Sequence, residues 1–421
     1  MDPKELLIRS FRAAVAAADP LQTLPRHLPS PPPGRTLVIG AGKAGASMAL
    51  ALERHWPPDA PLDGMVITRH GHALPTQRIE VIEAGHPVPD EAGETGAWEI
   101  LRRTKSLGPD DLLLALISGG GSALLSLPAG GVGADALKAT TRELLRSGAR
   151  IEEINTVRKH LSAIQGGRLA AACRARVLAL VISDVTGDDP THIASGPCAP
   201  DPTTYADALA VLKRYALKAD SAVLRHLQRG LRGEIAETPK PGDAIFARVE
   251  NRVIATARLA LSAAEDLFHA NGVRTRNLGD RITGEARHVA DSQAELAREI
   301  VRSGDPRPVA IVSGGECTVT VRGNGRGGRC TEFLLALGIA LDGLSDVHAI
   351  ACDTDGIDGS EDNAGAVLSP DSLSRAAKRG AGAKSLLADN DAYGFFSALG
   401  DLVVTGPTRT NVNDYRAILV A

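Results

Sequence analysis

Residues 36–54 read TLVIGAGKAGASMALALER, and residues 111–122 read DLLLALISGGGS. Each couples a continuous apolar run to a glycine-rich turn, and the first goes on into small and apolar residues suited to a helix. An apolar run with no alternation marks a strand covered on both faces, the character of a parallel sheet. Working outward, residues 64–71 (GMVITRHG) and Val177–Ile182 repeat the strand signature, and helical stretches run to about Arg54 and over 134–147. Strands alternating with helices predict an α/β fold with a parallel sheet and right-handed crossovers. Ahead of this series lie an amphipathic helix near the N-terminus and a proline-rich connector, PSPPPGR, at 29–35. Residues 154–170, INTVRKHLSAIQGGRLA, read as a loop feeding a helix.

The stretch 215–245 is polar, and TPKPGD at 238–243 suggests a boundary: a first domain over 1–240 and a second α/β domain over 241–421. In the second, strands are expected at Arg252–Ala255, Val273–Asn277, Val309–Val312 and Val347–Cys352, and a further one in CTVTVRG at 317–323. Helices are expected over 257–270, 284–302 and Thr331–Leu341, and the segment 401–414, DLVVTGPTRTNVND, reads as strand, turn and loop.

Composition excludes several classes. At 421 residues, 43% hydrophobic and 23% charged, the chain has the make-up of a globular protein of two or three domains. A net charge of −3, from 47 basic and 50 acidic residues, does not suit a DNA-coating protein. Two Trp, four Tyr and six Phe are too few for a single-strand stacking platform. No apolar run reaches the roughly 18 residues of a membrane span, and charges interrupt the N-terminal segment too early for a signal peptide. Five dispersed cysteines without a C-x-x-C pair fit reduced thiols in a cytoplasm, and no His/Cys cluster has zinc spacing.

Five strand-end loops stand out: GAGKAG, SGGGS, SDVTGDD, SGGE and DTDGIDG. In doubly wound sheets ligands bind at the carboxyl ends of strands. Gly40, Gly42 and Gly45 match the G-x-G-x-x-G dinucleotide fingerprint, yet the following strand ends in Thr68-Arg69-His70 rather than the acid that would bind a ribose, and an arginine there could suit a phosphorylated ribose instead. Only 10 of the 47 basic residues are lysines, so Lys43 inside this loop is conspicuous. At a helix N-terminus it is either an anion ligand or a solvated lysine. Ser118, Gly119, Gly120, Gly121 and Ser122 form either a nest for phosphate or carboxylate oxygens or a turn packed on a helix. Asp184, Asp188 and Asp189 follow one buried strand, and Asp353, Asp355 and Asp358 another. They suit magnesium or base roles in phosphoryl transfer, or else cap turns and helices. Arg326 and Arg329, among glycines, offer a fork for a carboxylate or phosphate, or are surface arginines. A Walker A loop, an EF-hand and a hydrolase elbow all fail on spacing.

Taken with SDVTGDDPTHIASGPCAPDPTT, SGGECTVTVRGNGRGGRCTEF and VVTGPTRTNVND, these motifs resemble the glycerate 2-kinases of the MOFRL type over about residues 5–418. The resemblance implies transfer of phosphate from ATP, with Mg2+, to the 2-hydroxyl of D-glycerate. It also implies a Rossmann-like domain, a MOFRL domain and an active site in the cleft between them. By resemblance the loop lysine is Lys43 and the glycine-flanked arginine is Arg329, while Cys330 replaces the asparagine of the family pattern G-x-G-G-R-N-x-E. The expected roles are Arg329 with Ser118–Ser122 on the substrate carboxylate, and Lys43 on the transferring phosphate. Asp184 would take the hydroxyl proton, and Asp355, with Asp353 or Asp358, would hold magnesium, although the two acidic roles are interchangeable on sequence grounds. Glu316 joins Gly40, Gly42, Gly45 and the SGGGS loop as a nucleotide-site candidate. Relatives labelled hydroxypyruvate reductases keep an NAD(P)-dependent alternative open, with a non-catalytic metabolite-binding protein as a third. Partners beyond the small-molecule substrates are not expected, and monomer and homodimer are both compatible with the sequence.

Overall fold

The computed structural model describes residues 2–304 and 306–421, which divide into two compact units: residues 23–254, and residues 2–22 with 255–304 and 306–421. The expected division at 240/241 gives way to this one for two reasons. Residues 249–254 pair with the first unit's sheet, and the N-terminal helix, Pro3–Ala16, belongs to the second. That helix is capped by Asp2 and buries Leu6, Leu7, Phe11 and Ala14. Phe11 lies 6.0 Å from the ring of Tyr415, whose hydroxyl donates to Ser10 Oγ at 2.8 Å, so the apolar stripe is covered by distant chain rather than by its neighbours.

The first unit is built on β1 (Thr36–Ala41), β2 (Leu62–Arg69), β3 (Ile79–Ala84), β4 (Leu112–Ile117), β5 (Arg176–Ile182) and β6 (Val249–Ala255), ordered 3-2-1-4-5-6. The pairs β3–β2, β2–β1, β1–β4 and β4–β5 are parallel. β1 and β4 are buried at every position, as their unbroken apolar runs require. The order reverses between β1 and β4, the place where doubly wound sheets bind ligands. A separate apolar cluster, including Leu137, Leu144, Ile154, Val157 and Leu212, joins the helices Ala134–Arg146, Ile151–His160, Tyr205–Arg214 and Ser221–Leu231. In the segment read as a loop feeding a helix, the helix Ile151–His160 occupies the first part, and the chain then turns through Gly166 and Gly167, both at positive φ, into the short helix Arg168–Ala171.

The second unit holds β7 (Arg274–Asn277), β8 (Ile282–Glu285), β9 (Val309–Thr318), β10 (Val347–Asp353), β11 (Gly365–Leu368), β12 (Leu402–Val403) and β13 (Asp414–Val420). Its order is 12-11-10-13-9-7, with β8 also on β9, and β13 runs antiparallel to both β9 and β10. The sheet is thus mixed. β9 continues through Ser313–Glu316, so SGGE is strand rather than loop, while residues 319–323 leave the strand pattern. No helix among the described residues is long and apolar enough to cross a membrane.

Candidate active site

Two sets of predicted residues assemble, one on each unit. On the first, the parallel register sets Ala41, Ile117 and Val181 side by side, so the loops after β1, β4 and β5 leave one edge of the sheet. The first two loops are stitched together. Lys43 N donates to Gly119 O at 2.8 Å, Ala44 N to Ser118 Oγ at 3.1 Å, and Ser118 N to Ala41 O at 3.1 Å. The fingerprint glycines make this closeness possible. A Cβ on Gly42, at φ +138°, would lie 2.1 Å from Ser118 Oγ, and one on Gly40 would lie 2.5 Å from Leu116 O. Gly45 permits the helix Gly45–His55 to approach Ile67 O. The pattern therefore serves packing of loop on loop and helix on strand, with no acid at the end of β2.

The serine hydroxyls of SGGGS are engaged inside the protein. Ser118 is buried and accepts from Ala44 N, while Ser122 Oγ lies 2.9 Å from Ser195 Oγ, which donates to Asn155 Oδ1 at 3.2 Å. Both hydroxyls thus have protein partners, and Ser122 stays half-exposed. The N–H groups of Gly119 and Gly120, in contrast, donate to nothing among the described residues, and Gly120 adopts φ +81°. A Cβ at Gly120 would meet His86 Nε2 at 3.0 Å and Lys43 Cγ at 3.5 Å. Backbone donors, a lysine and a histidine thus gather at one corner, the make-up of an anion site. Asp184 follows β5 at the same edge and is partly exposed, whereas Asp189 caps its own turn by accepting from Thr191 N at 2.9 Å.

On the second unit, pairing brings Asp353, Asp414 and Gly315 to one level. Arg329, at the start of the helix Arg329–Leu341, reaches across them. Its Nε donates to Asp414 at 2.6 Å, Nη1 to Glu316 at 2.7 Å and Nη2 to Asp353 at 2.8 Å. Burial opposes its charge, but Asp414, Asp353 and Glu316 override that and raise its pKa. The expected substrate-carboxylate fork is thus occupied by protein carboxylates, and Glu316 is an Arg329 partner. Asp353 Oδ1 also accepts from Asp355 N at 3.0 Å, and Asp355 Oδ1 from Ile357 N at 2.9 Å.

Asp358 departs from the metal set altogether. It is fully buried and accepts from Cys330 N, Thr331 N and Thr331 Oγ1 at 2.9, 2.8 and 2.7 Å, capping the helix that begins at Arg329. Burial outweighs these donors and lifts its pKa to about 6. Among the described residues no group of three or more His, Cys, Asp or Glu side chains is arranged to hold a metal ion. Cys330 is buried in the cluster around Phe333 and Leu334, and all five cysteines are free and buried. Sequence reasoning missed His86 and Asp414 as members of these sets. It also passed over Arg158, although both VRKH and VND stood inside quoted motifs.

Residues 6–228 match a family described as a domain of unknown function, DUF4147, and residues 309–414 match the MOFRL family. A protein of Agrobacterium vitis, provisionally named a hydroxypyruvate reductase, is 50% identical over 99% of this chain and 94% of its own length. Glycerate 2-kinase of Pyrococcus horikoshii is 38% identical over 98% of this chain and 96% of its own. The crystal structure of a glycerate kinase from Thermotoga maritima superimposes with a TM-score of 0.89 at 36% identity, covering 99% of both chains.

Proposed function

The chain belongs to the MOFRL family of glycerate kinases, and on that premise we propose that it moves the γ-phosphoryl group of ATP to the 2-hydroxyl of D-glycerate. One observation carries the reading: Lys43 and the unoccupied N–H donors of Gly119 and Gly120 share the corner where the strand order reverses. Phosphoryl transfer asks for alignment and charge neutralisation rather than covalent help. Lys43 holds the transferring phosphate and neutralises its charge in the transition state. Asp184, at the same strand edge, accepts the proton of the attacking hydroxyl. Magnesium commonly binds one or two carboxylates and completes its shell with water and nucleotide phosphates, so Asp355 with Asp353 fits that demand without Asp358. When bound, the ion supplies neutralisation of the donor phosphates. Arg329 acts as a positioning residue that fixes Asp353 and Asp414, not as a substrate clamp.

The name carried by the Agrobacterium vitis relatives favours one other reading, a nicotinamide-dependent reductase. The missing acid after β2 speaks against an NAD-dependent form, whereas Arg69 at that place would suit the phosphorylated ribose of NADP, so the assay has to separate the two activities. The test is one incubation with MgATP and D-glycerate, read by phosphorus NMR. A 2-phosphoglycerate signal is the expected result. Oxidation of reduced nicotinamide by hydroxypyruvate, with no ADP formed, would sink the kinase reading, and a 3-phospho product would reject the regiochemistry alone.

A further inference from the structure

The helix Ile151–His160 ends on three consecutive basic residues, and the fold treats them differently. Lys159 Nζ donates to Asp201 at 3.4 Å with both side chains buried, and His160 Nε2 meets Glu237 at 3.2 Å. No hydrogen bond or ion pair joins the Arg158 guanidinium to any described residue. Burial alone, with no carboxylate nearby to oppose it, lowers its pKa to about 10. A half-buried cation without a counter-charge is costly in the free protein, and an incoming anion removes that cost.

Arg158 lines a pocket that no aspartate or glutamate enters. Lys138 and Arg142 add two further cations to its wall, and Pro87 and Leu137 give it apolar sides. The pocket borders the phosphate corner. Ser122, the last residue of SGGGS, lines it, as does Pro87, whose neighbour His86 approaches Gly120 beside Lys43. In D-glycerate the carboxylate sits on the carbon that bears the 2-hydroxyl. A carboxylate ligand must therefore adjoin the site of phosphoryl transfer, whereas a nucleotide base lies a ribose and two phosphates away. Arg329, the other candidate for that carboxylate, already serves three protein carboxylates.

We propose that this pocket is the acceptor subsite, in which the Arg158 guanidinium binds the substrate carboxylate bidentately and Lys138 and Arg142 draw the anion in. The assignment rests on the kinase reading for the identity of the acid, but the anion-binding claim stands on the pocket alone. It makes Arg158 the residue that selects an acid over a neutral polyol.

The test is Arg158→Gln, with Arg158→Lys beside it, measured in two ways. In steady-state assays the KM for D-glycerate should rise roughly 50-fold in Arg158→Gln, about 2 kcal/mol at 1.36 kcal/mol per decade, with the KM for ATP within about twofold of the parent. Arg158→Lys should recover part of the loss, and preference for D-glycerate over glycerol should collapse in the glutamine variant. Calorimetric titration of D-glycerate without nucleotide should show the same weakening independently of turnover. A thermal melt no lower than the parent's is expected, because an uncompensated charge has been removed. If the KM for ATP rises while that for D-glycerate holds, the pocket serves the nucleotide and the proposal is overturned. Unchanged titration in both variants overturns it too. A parent protein that binds D-glycerate through Arg158 yet makes no ADP would refute the kinase reading while leaving the subsite standing.

Discussion

Arg329 is the residue whose removal the structure weighs most directly. Arg329→Met leaves three carboxylates without their shared cation. Glu316 is half exposed, so its share is no more than about 1 kcal/mol. Asp414 and Asp353 are 2% and 5% exposed, and removing one member of a buried ion pair costs about 3–5 kcal/mol, with the low end expected here because Arg416 Nη1 still donates to Asp414 at 3.1 Å. The strands affected are the ends of β9, β10 and β13, so the loss should be local to the second unit. Both tryptophans, Trp56 and Trp98, lie in the first unit, so their fluorescence would not report it. Hydrogen exchange of peptides spanning 309–318, 347–353 and 414–420 is the suitable assay, and exchange there should accelerate by roughly two orders of magnitude or more. The double variant with Asp414→Asn should cost less than the sum of the two single changes, because both break the same Arg329–Asp414 pair. Unaltered protection in Arg329→Met, or strict additivity in the pair, would refute the view that this arginine organises the acidic edge.

Three other outcomes follow from the geometry. Lys43→Ala should lower kcat about 100-fold or more with an unchanged circular dichroism spectrum, since one charged group at a transferring phosphate typically contributes several kcal/mol; near-parental turnover would remove Lys43 from the chemistry. Gly42→Ala places a Cβ 2.1 Å from Ser118 Oγ at a φ that side chains avoid, and should destabilise the first unit by about 2 kcal/mol or more in urea unfolding. Asp358, raised to about 6, binds its proton more tightly in the folded protein than in the unfolded chain. Its contribution is present at low pH and is lost as pH rises through about 6, so stability falls over that window by up to about 3 kcal/mol from this group. Urea unfolding from pH 4.5 to 7 should show that slope flattened in Asp358→Asn, and identical slopes would contradict the assignment.

Continuous apolar runs ending in glycine turns were enough to specify the parallel sheet of the first unit, because a strand buried on both faces needs no partner to be recognised. The place of Lys43, just ahead of the helix Gly45–His55, was equally legible. The second unit read less well. The glycines in SGGE suggested a loop, but β13 supplies the antiparallel hydrogen bonds that hold those residues in β9, and that partner lies about 100 residues on. The same distance hid the roles of the charged side chains. Nothing near Asp358 in the chain announces that it caps a helix beginning at Arg329, and nothing near Arg158 says that it lacks a carboxylate while Lys159 has one. Local pattern determines which backbone can form, since strand and helix periodicity are short-range. Whether an ionisable group is a cap, a strut or a ligand depends on the charges that folding brings within about 3 Å of it, and only the tertiary structure decides those.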